Sequence, residues 1–117
     1  MACQLRPAPP GSVSDFVTKA GQPSTIFAAN DSDTVHLNAA TLNSQALNVA
    51  NGRVTFTPIA GRNLLNLNFV GADPTEVFEI REDCGGTSNV VDHWRLQPGP
   101  AGEPGGPTKA YQIHATA

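Results

Sequence analysis

The chain has 117 residues, with seven Lys plus Arg against ten Asp plus Glu, a formal net charge of −3, 39% apolar residues and 15% charged ones. Its basic residues are scattered at Arg6, Lys19, Arg53, Arg62, Arg81, Arg95 and Lys109, so no stripe matches a phosphate backbone and no nucleic-acid partner is expected. No apolar run approaches the roughly 20 residues of a membrane-spanning helix, and Met1 to Asp15 lacks an apolar core of signal-peptide length.

A chain of this size can build one core. Ten Thr, nine Asn, eleven Gly and ten Pro point to a turn-rich β protein whose solvent faces carry uncharged hydrogen-bonding groups. Residues 1–14, with three prolines and Gly11, read as a flexible N-terminal arm, and residues 15–117 as a single domain. SDFVTKA, Ser14 to Ala20, is the one helix candidate, with Ser14 as cap.

PSTIFAAN (23–30) and DTVHLNA (33–39) fit short strands, divided by the turn former NDSD at Asn30 to Asp33. ALNVANGRVTFTP (46–58) carries the clearest local signal. Asn51-Gly52 suits a two-residue type I′ turn, because both central positions need positive φ. That register sets Val49 against Val54 and Leu47 against Phe56, all on one face.

LLNLNFV (64–70) alternates Leu65, Leu67 and Phe69 with Asn66 and Asn68, which predicts a half-buried strand. After the GADP turn, TEVFEIR (75–81) points Phe78 and Ile80 inward and Glu79 and Arg81 outward. DCGGTSN (83–89) reads as a glycine-assisted loop and VVDHWRL (90–96) as the returning strand. Trp94 then belongs to the core, and Asp92 on the same face is a conflict, resolved by a strand-edge position or by a buried donor that it satisfies. Residues 97–108 read as an extended, solvated loop, and KAYQIHATA (109–117) as a closing strand through Tyr111 and Ile113. Leu-Asn at 37, 42 and 47, and Gly at every third position over 99–107, give too few units for a solenoid or a triple helix.

About eight strands at this spacing predict an antiparallel β-sandwich, Greek-key or jelly-roll-like, with a small β-barrel as the alternative.

Candidate chemistry is sparse. Cys84 and His93, with Asp92 or Asp83 to orient the ring, have the letters of a thiol–imidazole pair but no accompanying oxyanion site. His36, His93, His114 and Cys84 show no zinc spacing. Asp31 and Asp33, with Asn30, are weak calcium candidates that turn formation explains equally well, since the full calcium loop is absent. Asn30-Asp31-Ser32 matches a glycosylation acceptor. No cofactor is expected. Cys3 and Cys84 form a disulfide in an oxidising compartment and remain free thiols in the cytoplasm.

The expectation is a non-enzymatic interaction module, secreted, surface-associated or periplasmic, that recognises a protein or glycan through loops or a sheet edge. Its contact residues would be Asn30, Asp31, Asp33, Thr87, Ser88, Asn89 and Glu103. A self-associating structural subunit is the second reading, and a small Cys/His-dependent enzyme the third.

Overall fold

The computed structural model describes residues 3–31 and 33–117. Met1 and Ala2 of the arm, and Ser32 of the acceptor pattern, lie outside the described residues. Two-residue alternation of apolar and polar side chains recurs along the chain, and the described residues form eleven strands in two sheets. The first sheet runs β1 (Arg6–Pro7), β2 (Asp15–Lys19), β11 (Thr108–Thr116), β8 (Gly61–Gly71), β4 (Val35–Leu42), β5 (Gln45–Ala46). The second runs β10 (Ser88–Trp94), β9 (Phe78–Asp83), β3 (Ser24–Ala29), β7 (Arg53–Phe56), β6 (Val49–Ala50). Neighbours are antiparallel except β2 and β11, which pair in parallel.

The sheets pack face to face as a β-sandwich, and the described residues form no closed barrel. Inward positions interlock across the interface: Phe69 of β8 meets Phe78 of β9 with ring centres 5.0 Å apart. Ile26, Leu65, Leu67, Ile80 and Ile113 are each at most 2% exposed, and burial of each contributes about 1.5–3 kcal/mol. The Asn51-Gly52 hairpin forms as expected, with φ of 55° and 70° at its centre and Val49 opposite Val54.

Four local expectations are corrected. Residues 15–19 form strand β2 rather than a helix, because Phe16 and Thr18 are buried while Val17 and Lys19 are exposed, a period of two. Leu47 does not face Phe56: its N–H donates to Ala40 O at 2.9 Å, and the chain crosses between sheets before β6. The first part of the arm is docked on the sandwich, since Leu5 is 2% exposed and β1 pairs with β2, while Val13 is exposed. The 97–108 loop is folded back instead of extended, with a 3₁₀ turn at Pro100–Gly102 and Gly106 N–H donating to Arg95 O at 3.0 Å.

Loop closure there depends on glycine. A Cβ on Gly105 would lie 2.5 Å from Gln97 O and 2.9 Å from Pro98 N, both backbone atoms. Gly105→Ala is therefore expected to displace the loop and cost about 1–3 kcal/mol. Because Trp94 is the single tryptophan and its indole N–H donates to Gly106 O at 2.7 Å, the displacement will show as a red-shifted emission.

Candidate functional site

Sheet edges expose unpaired backbone groups, and proteins commonly blunt them with very short strands. Of the four edges formed by described residues, β1, β5 and β6 are two-residue strands, while β10 is seven residues long. A bulge interrupts its pairing with β9 between Val90 and Asp92, leaving regular segments on both sides. Beyond Trp94 this edge leads into a cleft of about 340 Å³ lined by Val77, Asp92, Trp94, Arg95, Glu103 and Lys109.

Polar contacts surround the cleft. Asp92, 7% exposed, resolves the sequence conflict as the partner of a buried donor: its Oδ2 accepts the Tyr111 hydroxyl from β11, and its Oδ1 accepts His93 N–H at 2.8 Å. On its outer side, the Arg95 guanidinium donates to Glu103. Lys109 Nζ lies 4.5 Å from the Trp94 ring centre and 5.3 Å from that of Tyr111.

Burial, then the charge of Asp92, then their hydrogen bond push the Tyr111 phenol far above its ordinary range. The unfolded phenol loses its proton near pH 10, while the folded one keeps it. Stability is therefore retained below about pH 10 and declines as pH rises beyond it. Tyr111 is the only tyrosine, so absorbance titration will show no phenolate until the chain unfolds. Tyr111→Phe is expected to cost about 2 kcal/mol by leaving a buried carboxylate oxygen without its donor, measurable by urea unfolding.

The outer face of the second sheet gathers the other expected contact residues into separate places. Thr87 and Ser88 border a cleft with Phe27, Arg53 and Asp83, while Asn30 and Asp33 border another on the far side of the Phe27–Arg53 pair. Asp31 lies with Glu79 and His93, Asn89 is exposed on β10, and only Glu103 reaches the Trp94 cleft. Two surface ion pairs lie on this face, Arg53 with Asp83 at 3.7 Å and Arg81 with Glu79 at 2.7 Å, and His93 Nε2 lies 3.7 Å from Glu79. Each such exposed pair contributes about 0–1 kcal/mol.

Asn30 closes its own turn, accepting Thr34 N–H at 3.1 Å and donating to Thr34 Oγ1 at 2.9 Å. Asp31 and Asp33 join no cluster of ligand atoms. Among the described residues, the one group of three His, Cys, Asp or Glu atoms within 4.8 Å is Cys3, Glu82 and Cys84. There the two sulfurs are bonded to each other, with Cα atoms 5.1 Å apart, so neither is a thiolate ligand or nucleophile. Glu82, 1% exposed, accepts Gln4 N–H and Leu5 N–H, each at 3.1 Å, and the Ser24 hydroxyl at 2.7 Å.

Aromatic platforms for sugar rings are covered. The Arg53 guanidinium lies 4.1 Å from the Phe27 ring centre, and Lys109 covers Trp94 and Tyr111. No family model, curated protein or solved structure matches this chain.

Proposed function

We propose that the protein is a non-enzymatic interaction module that binds an extended segment of a protein partner along the free edge of β10. The observation that carries this reading is a seven-residue edge strand that ends at a cleft; the other three edge strands are two residues long, although β5 covers only Thr41 and Leu42 of β4. Main-chain hydrogen bonds from such an edge give affinity, and an adjoining cleft gives side-chain selectivity. A protein partner is favoured over a glycan because cations of the same chain already cover the half-exposed aromatic faces. The Cys3–Cys84 disulfide fits work in an oxidising compartment, at a cell surface or outside the cell.

Backbone methylation of a ligand tests this directly. Decapeptides selected from a displayed random library on the immobilised protein are resynthesised with one N-methyl group at each position in turn. Strand addition predicts that methylation at alternate positions abolishes binding, since alternate N–H groups face the edge. Tolerance of methylation at every position would contradict it.

A further inference from the structure

Ion-pair accounting leaves one cation of the Trp94 cleft without a carboxylate within 4.0 Å. Arg95 is paired with Glu103, and both oxygens of Asp92 are engaged, by Tyr111 and by the His93 N–H. Arg53 and Arg81 are paired with Asp83 and Glu79 on the outer face. Lys109, half-buried, forms no ion pair with any carboxylate of the described residues. Its Nζ has Ser14 Oγ at 3.5 Å and the two aromatic faces. An ammonium partly withdrawn from water gains only about 0.5–2 kcal/mol from such faces, and it retains donors that no carboxylate accepts.

We infer that the cleft receives an acidic side chain, Asp or Glu, of the segment docked on β10, with Lys109 as its cation. This inference rests on the reading of β10 as the docking edge. The cleft opens where β10 ends, so a strand laid along Ser88–Trp94 continues over it. Trp94 and Tyr111 hold the ammonium in place before binding, which lowers the ordering cost of making the pair. Val77 and Pro104 give the cleft apolar walls beside the ammonium, and a charge-assisted hydrogen bond is stronger than a neutral one. A single ammonium suits a singly charged carboxylate. A phosphorylated residue calls for an arginine cluster, and the one guanidinium here is already held by Glu103.

The same selected decapeptides provide the test. Each Asp or Glu is replaced in turn by Asn or Gln, and affinities are measured for the unaltered protein, Lys109→Met and Lys109→Arg. One acidic position is expected whose neutralisation weakens binding by about ten-fold or more in the unaltered protein and in Lys109→Arg, but by less than about two-fold in Lys109→Met. Met keeps an unbranched apolar side chain of similar reach without the charge, and the Trp94 emission verifies that the cleft is intact. Selected peptides with no acidic dependence, or a dependence that persists in Lys109→Met, would overturn the inference. If methylation still abolishes their binding, the edge reading survives alone; if it does not, both fall.

Discussion

Glu82→Ala is expected to lower the unfolding free energy by about 3–5 kcal/mol, among the largest effects of any single side chain in this protein. The carboxylate lies at the inner face of β9 and is the acceptor for two backbone N–H groups of the arm and for Ser24 of β3. Truncation strands three donors in a site nearly closed to water, and each unsatisfied buried donor costs about 1–3 kcal/mol. Glu82→Gln keeps the shape but turns an amide group toward N–H donors, so a loss of about 2 kcal/mol is expected. Urea unfolding followed by Trp94 emission measures both. A loss under about 1 kcal/mol for the alanine variant would show that the arm is not anchored through Glu82.

Removing the disulfide has an effect of similar size. Cys3→Ser with Cys84→Ser opens a link across 81 positions of sequence, worth up to about 4–5 kcal/mol in the chain-entropy account. It also frees the arm from the turn that joins β9 to β10. Glu82 and the disulfide hold the same few residues, Cys3 to Leu5, so their losses will not add. Amide exchange in the doubly substituted protein is expected to rise first at Gln4, Leu5 and Arg6 and at residues 84–87, while β4 and β8 stay protected. Uniform loss of protection would show that the sandwich has no stable unit without the link.

Much of the sandwich is legible in single residues. Leu65, Leu67 and Phe69 alternate with asparagines, and that period alone fixes which face of β8 is buried. Asn51-Gly52 fixes its turn because few other pairs accept two positive φ angles. Strand β2 was hidden by the capping signal of Ser14, which sits four places before Thr18 in a stretch too short for period to separate helix from strand. Leu47 misleads for a different reason: hairpin pairing reads only neighbours in sequence, whereas the exchange of Leu47 toward Ala40 depends on where β4 runs.

The buried polar residues divide the same way. Asp92 is visible as a conflict with its strand, and the structure supplies the donor, Tyr111, from nineteen residues away. Glu82 shares the phase of Phe78 and Ile80, so alternation alone places it inside. Asn63 likewise continues the phase of Leu65, and its amide donates to Ile59 O at 2.9 Å and Ile113 O at 3.1 Å. Among the partners of Glu82 and Asn63 are backbone groups of the arm, of the loop before β8 and of β11, which carry no signature in the sequence. The edge contrast is a matter of topology, since β10 becomes an edge only once β9 has paired with β3 on its other side. Lys109 was one scattered cation among seven until β11 brought it to Trp94.

Hydrogen exchange at the amides of residues 88–94, with and without a saturating selected decapeptide, tests the central claim most directly. Docking on the free edge predicts that alternate amides of β10 slow by about a hundred-fold or more while those of β4 and β8 are unchanged. Binding with no added protection in β10, or with protection confined to another face of the sandwich, would contradict it.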